Sequence, residues 1–235
     1  MRLRIHLLSQ HHVQYQEINQ YFIQSWIWSL LQNTEFSKLH DQKYFKYFTF
    51  SNLFPVVDLT PNQTLTLLVA SPDEYLLQTL QEQMLHHPSF FLGQYSFLIK
   101  QTTLFSVPLG RQWITATPLV LYKDNYANTY FSFYRDADIE FFLERIKENA
   151  VKKYVFYFNK KPHVPRHLFT EFLFKRSVAK AFSKEGKPLV FLGTYGVFTL
   201  PQLQSENMEL FYRFLLDCGL GEKNSLGFGF MNPIR

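Results

Sequence analysis

The chain has 235 residues and a mass of 28.1 kDa, enough for one large domain or two small ones with separate cores. With 46% hydrophobic and 18% charged residues and a net charge of +5, it is neither disordered nor collagen-like. The single cysteine, Cys218, excludes a disulfide framework and a cysteine-ligated zinc site.

Aromatic residues reach 18%, which favours sheets, where flat side chains pack on a pleated face. Residues 2–8 (RLRIHLL) alternate as a half-buried strand does. Residues 15–31 place Ile18, Phe22, Trp26 and Leu30 at four-residue helical spacing. Two β-rich runs follow, 47–54 and 64–70. Ser71 then reads as an N-cap, Pro72 as the first helical residue and Glu74 as the closing member of a capping box. That helix should end near His86-His87-Pro88, and residues 89–106 hold a last strand or hairpin. The order is β-α-β-β-α-β.

The second half repeats it. Residues 113–122 read as a strand in which Pro118 demands an edge or a bulge. A charged helix spans about 138–157, and a loop with two prolines covers 160–168. Strand-like runs at 169–180 and 188–199 flank a turn at 183–187. A helix over 205–217 and a strand over 226–232 complete the unit. Two successive β-α-β-β-α-β units predict an α+β chain of two tandem ferredoxin-like domains, 1–110 and 111–235, each with one open sheet face.

Charge is unevenly placed. Residues 1–110 carry six Lys and Arg against seven Asp and Glu, whereas residues 145–187 hold twelve basic residues against three acids. Such a stretch is the footprint of a polyanion binder, because each cation near a phosphate releases a condensed counterion; a solvated basic face is the plainer alternative. The pair of strands carrying Lys175, Arg176, Lys180, Lys184 and Lys187 is the best candidate for gripping the phosphates of such a polyanion.

Four of the nine glycines fall within Gly219-Leu220-Gly221-Glu222-Lys223-Asn224-Ser225-Leu226-Gly227-Phe228-Gly229. Helix capping explains one of them. Glycines let backbone approach a ligand and expose amides, with Lys223 adding charge and Asn224 and Ser225 short polar groups. The offsets fit neither a P-loop nor a dinucleotide fingerprint. The string GLGEKNSLGFG closely resembles the glycine-rich signature of the RAMP superfamily of CRISPR proteins, specifically the Cas6 repeat-processing endoribonucleases. Residues 18–31 resemble that family's first helix, Lys46 to Phe50 its second strand, and Thr115 to Leu119 the start of its second domain. The likeness covers nearly the whole chain and implies the same tandem fold.

The resemblance implies cleavage of CRISPR repeat RNA without a metal ion or other cofactor, by attack of the ribose 2′-hydroxyl on the scissile phosphate. Products would carry 2′,3′-cyclic phosphate and 5′-hydroxyl ends. This chemistry needs a base, an acid and positive charge. The family's histidine and lysine correspond to His40 and Lys46. Several members place a tyrosine late in the first helix, where this chain has Trp28, whose indole cannot act as a base. Tyr21, Tyr44 and Tyr47 are therefore auxiliary candidates. Because the indole leaves the constellation incomplete, a non-cutting RAMP subunit that holds RNA among effector-complex proteins is the alternative. His11 and His12, in the loop before the first helix, could substitute and otherwise read as RNA-contacting or merely exposed; His86, His87, His163 and His167 read as loop residues, and scattered carboxylates offer no two-metal site. No apolar run approaches the ~18 residues of a membrane helix, and Met1-Arg2-Leu3-Arg4 does not open a signal peptide. The expectation is a cytoplasmic protein with no membrane contact, whose aromatic surplus leaves room for a homodimer interface.

Overall fold

The computed structural model describes residues 1–184 and 187–234. The chain divides into two units, Met1–Ser106 with Ser225–Gly227, and Val107–Asn224 with Phe228–Arg235. The division falls four residues before the boundary expected from sequence.

In the first unit, β1 (Arg2–Ser9) pairs antiparallel with both β3 (Thr64–Ala70) and β5 (Tyr95–Phe105). β2 (Thr49–Phe50) and β4 (Ser89–Leu92) form the edges, in the order β2-β3-β1-β5-β4. Without β4 this is the ferredoxin-like order, and β4 is the extra arm of the hairpin anticipated after the second helix. Alternation decides the burial: Leu3, Ile5 and Leu7 of β1 and Leu65, Leu67 and Val69 of β3 are fully buried. They meet Ile23, Ile27 and Leu31 of α1 (Gln20–Leu31) and Leu77, Leu80 and Met84 of α2 (Glu74–His86) in one core. Each such side chain contributes about 1.5–3 kcal/mol.

Two local expectations are corrected. α2 is capped by Asp73, whose carboxylate accepts from the Leu76 amide at 3.2 Å. Ser71 is not the cap: its hydroxyl donates to the Tyr47 carbonyl at 2.7 Å and accepts from the Asp73 amide at 3.0 Å. β2 is far shorter than 47–54. After Phe50 the Ser51 hydroxyl accepts from the Leu68 amide at 3.0 Å, so a side chain replaces the backbone acceptor and the regular ladder stops.

The second unit has sheet order β11-β6-β10-β9, all antiparallel, again the ferredoxin-like arrangement. β6 is Gln112–Thr115, β9 Glu171–Lys184, β10 Lys187–Thr199 and β11 Met231–Ile234. α3 (Ile139–Phe158) begins on Asp138, whose carboxylate accepts from the Phe141 amide at 2.9 Å, and ends at Asn159 in the left-handed region. α4 spans Glu206–Cys218. β6 stops three residues before Pro118, and the chain then crosses Gly193, where a side chain would stand 2.7 Å from the Pro118 ring. A small hairpin unforeseen from sequence, β7 (Tyr122–Asp124) with β8 (Thr129–Tyr130), precedes α3. The β9–β10 hairpin matches the expected strand pair; its turn residues Glu185 and Gly186 lie outside the described residues.

Candidate active site and nucleic-acid interface

α1 presents Ser25, Trp28 and Ser29 along one flank, with its C-cap Gln32 continuing the row, as three- and four-residue spacing requires. These residues form one wall of a cavity of about 530 Å³, and Ser37, Lys38, His40 and Asp41 form the other. The second wall is a short 3₁₀ turn, Ser37–Leu39, and the residues after it.

His40 is the candidate reactive group on that wall. Its Nδ1 lies 2.8 Å from Asp41 Oδ1, and its ring meets the Trp28 indole edge-on at 5.2 Å. Trp28 is anchored in turn against fully buried Phe48, with ring centroids 5.3 Å apart. A neutral imidazole that donates Nδ1–H to a carboxylate keeps its lone pair on Nε2. The side chain is 61% exposed, so that lone pair has access to a ligand. The arrangement can accept a proton.

Lys46 closes the same turn from the other side. Its ammonium donates to the carbonyls of Leu39, His40 and Gln42, the His40 bond being 3.0 Å, and stands 5.9 Å from the Trp28 ring centroid. Three carbonyls match the three protons of an ammonium. Burial pushes its pKa down, against the opposing pull of the Asp41 carboxylate. Lys46 therefore staples the segment that carries His40 and sets a positive charge beside it. The auxiliary tyrosines are more scattered. Tyr21 lies on α1 seven residues before Trp28, about 10 Å along the axis. Tyr44 is strongly exposed, and Tyr47 has a left-handed backbone with its ring against Phe45.

The glycine-rich segment is organised by a lysine that the sequence shows only as one of the twelve basic residues of 145–187. Lys153 of α3 is only 2% exposed, and its ammonium donates to Gly219 O at 2.9 Å, Gly221 O at 2.6 Å and Asn224 Oδ1 at 2.5 Å. Burial pushes its pKa down, while nearby Cys218 and Glu222 oppose this. Asn224 completes the clasp by donating from Nδ2 to the Leu220 and Phe228 carbonyls, both at 3.0 Å. The four glycines are buried. The amides of Gly219 and Gly229 donate within the chain, to Leu215 O and Pro118 O. Gly229, at φ +69°, would place a Cβ 1.9 Å from the Leu220 carbonyl. Gly227, at φ +80°, packs on the Phe50 ring, and its carbonyl accepts from Gln20 Nε2 at 3.2 Å. Close packing of the chain on itself thus accounts for these glycines. Lys223 is the exposed member, its ammonium 5.3 Å from the Tyr122 ring, and Ser225 is half-buried.

On the hairpin, Lys175, Arg176 and Lys180 are exposed on β9, with the Arg176 guanidinium 4.8 Å from the Tyr195 ring centroid. Lys184 and Lys187 sit opposite each other at the strand ends; their side chains lie outside the described residues. Among the described residues no three His, Cys, Asp or Glu side chains gather as metal ligands, and no helix is long and apolar enough to cross a membrane. His86 is the last residue of α2 and not a loop residue.

A family model described as "CRISPR associated protein Cas6, C-terminal" matches residues 110–233. A curated relative from Methanocaldococcus jannaschii, "CRISPR-associated endoribonuclease Cas6 2", is 35% identical, with all of both chains covered. Among solved structures, one described as "CRISPR associated protein Cas6" superposes with a TM-score of 0.75 at 21% identity, covering 100% of this chain and 99% of that one. Another, "An RAMP protein binding different RNA substrates", gives 0.72 at 18% with both chains fully covered.

Proposed function

Since the chain belongs to the Cas6 family, we propose that it is a metal-independent endoribonuclease that cleaves CRISPR repeat RNA through the ribose 2′-hydroxyl. The observation that carries this reading is His40, held by Asp41 and braced by Trp28 at the mouth of an open cavity. Nε2 takes the 2′-hydroxyl proton as the 2′-oxygen bonds to phosphorus. The bond to the 5′-oxygen breaks, and that oxygen takes a proton from solvent at the cavity mouth. The RNA supplies its own nucleophile, so the products end in 2′,3′-cyclic phosphate and 5′-hydroxyl. A positioned base is typically worth ~10²–10⁴ in rate. Lys46 acts by fixing the His40 turn and by placing charge near the crowded phosphorane.

In this reading Lys175, Arg176, Lys180, Lys184, Lys187 and Lys223 engage RNA phosphates. Gly219, Gly221, Asn224, Ser225, Gly227 and Gly229 shape the segment that presents Lys223. Tyr21, Tyr44 and Tyr47 are the auxiliary candidates for assisting His40. The test is single-turnover cleavage of the cognate repeat in EDTA. His40→Ala should slow cleavage at least a hundredfold and leave RNA affinity unchanged. Continued cleavage of a substrate with a 2′-deoxy sugar at the scissile position would reject the mechanism.

Trp28 favours a second reading, since an indole supplies no hydroxyl beside His40. A subunit that only holds RNA would bind with a steep salt dependence and give no product, with or without His40.

A further inference from the structure

A second cavity, of about 620 Å³, lies on the other flank of α1. It is within the size range of small-molecule sites. We propose that it receives the base of a nucleotide adjoining the scissile phosphate, a reading that rests on the ribonuclease function above.

Its chemistry suits a nucleobase. The lining includes Phe22 and Trp26 from α1 and Phe90 and Phe91 from β4. The Trp26 and Phe90 rings are stacked, 3.9 Å apart and 14° from parallel, while Phe91 is 67% exposed. Among them stand the amides of Asn33 and Gln83, each a donor and an acceptor. Among the described residues no Asp, Glu, Lys or Arg lines the space, and His87 is its one titratable side chain. A neutral, flat, edge-polar guest is therefore favoured over a free phosphate or a charged peptide. Trp26 adds an independent sign: it is 5% exposed, and its Nε1 is buried with no hydrogen-bond partner. Such a donor is costly unless something completes it.

Position links the pocket to the reaction. Ser25 and Ser29 line both this cavity and the one beneath His40. A strand whose phosphate lies against His40 needs only to cross these two small, exposed side chains for the neighbouring base to reach the aromatic floor. Stacked A-form geometry does not align the 2′-oxygen, phosphorus and 5′-oxygen. Withdrawing one base from the stack frees the sugar to turn, and holding that base fixes the reactive alignment.

The experiment scans abasic nucleotides through the positions flanking the cleavage site, with wild-type and Phe91→Ala protein, in single-turnover cleavage. One position should slow the wild type about tenfold, the size expected for a lost base–aromatic stack. Phe91→Ala should slow intact RNA similarly, and the two changes together should be no slower than either alone. Multiplying effects, or no sensitive position, would overturn the proposal. If purified protein cuts no repeat RNA at all, the ribonuclease reading fails instead, and the pocket is judged by a second measurement. The Trp26 indole N–H resonance, assigned with Trp26→Phe, is followed during titration with AMP, CMP, GMP and UMP. It should shift with at least one nucleotide and lose that shift in Gln83→Leu. A resonance unmoved by all four overturns the pocket.

Discussion

Replacing Lys153 with methionine keeps most of the side-chain volume but removes the ammonium that holds the glycine-rich segment. The carbonyls of Gly219 and Gly221 and the amide oxygen of Asn224 then lose their shared donor, which now stands 2.9, 2.6 and 2.5 Å away. Each orphaned buried acceptor costs about 1–3 kcal/mol. Partial relaxation of the segment reduces the sum, and freedom from burying a cation offsets some of it. The expected loss is about 3–5 kcal/mol, a large share of the ~5–15 kcal/mol that holds a typical domain. Urea denaturation at pH 7 measures it. The pH dependence gives a second readout. Burial lowers the folded-state pKa of Lys153, so between that value and the unfolded ~10.4 the unfolded state binds more protons. Wild-type stability therefore rises with pH through this window relative to Lys153→Met. A loss below about 1 kcal/mol would refute the clasp, and a stability difference flat with pH up to ~10.4 would refute the burial-lowered pKa.

Asp136 supplies an acid-side counterpart. Burial would raise its pKa, but hydrogen bonds from Lys123 at 2.6 Å, from the Ser132 amide at 2.9 Å and from Arg135 hold it down to about 2. Its contribution, on the order of 1–2 kcal/mol, is complete above pH ~4 and disappears as pH falls to about 2. Asp136→Asn should flatten that acid limb in denaturation curves, and an unchanged limb would contradict it. Gly229→Ala should cost about 2–4 kcal/mol, because the new carbon would lie 1.9 Å from a backbone oxygen at positive φ; a thermal scan reads the loss. Trp28→Ala should lower the cleavage rate about three- to tenfold by freeing the His40 ring, in line with the ~0.5–1.5 kcal/mol of an aromatic pair. Trp28→Phe should recover most of that rate, and equal loss in both variants would reject bracing.

Much of the fold was legible because both halves alternate cleanly between two-residue and 3.6-residue periods. Leu3, Ile5 and Leu7 announce their strand, and Ile23, Ile27 and Leu31 their helix. Expectations failed where a side chain took over a backbone duty. The Ser71 hydroxyl serves the Tyr47 carbonyl, so Asp73 caps the helix. Ser51 interrupts a strand that composition extends to residue 54. At the candidate site, His40 and Lys46 were identified through family likeness, yet the geometry gives Lys46 three carbonyl acceptors. Asp41 was given no role by sequence, although adjacency to His40 was the available clue. Lys153 was missed outright, because a count of charges carries no information about which of them is buried.

The β9–β10 hairpin pairs thirteen residues on each side, from Lys187↔Lys184 to Thr199↔Glu171, but β6 borders only Val197 to Thr199. Beyond the single bridge Leu119↔Thr194, most of its length, about 40 Å in total, is a two-stranded ribbon with no third strand beside it among the described residues. Such a ribbon is pliant on its own. Here Phe182 and Phe191 pack together at 5.3 Å, and Phe191 rests on Phe228 at 5.2 Å. Phe228 sits between Gly227 and Gly229, within the segment Lys153 clasps. One aromatic side chain, Phe228, thus joins the basic ribbon to the glycine-rich segment, its own carbonyl accepting from the Asn224 amide that Lys153 holds.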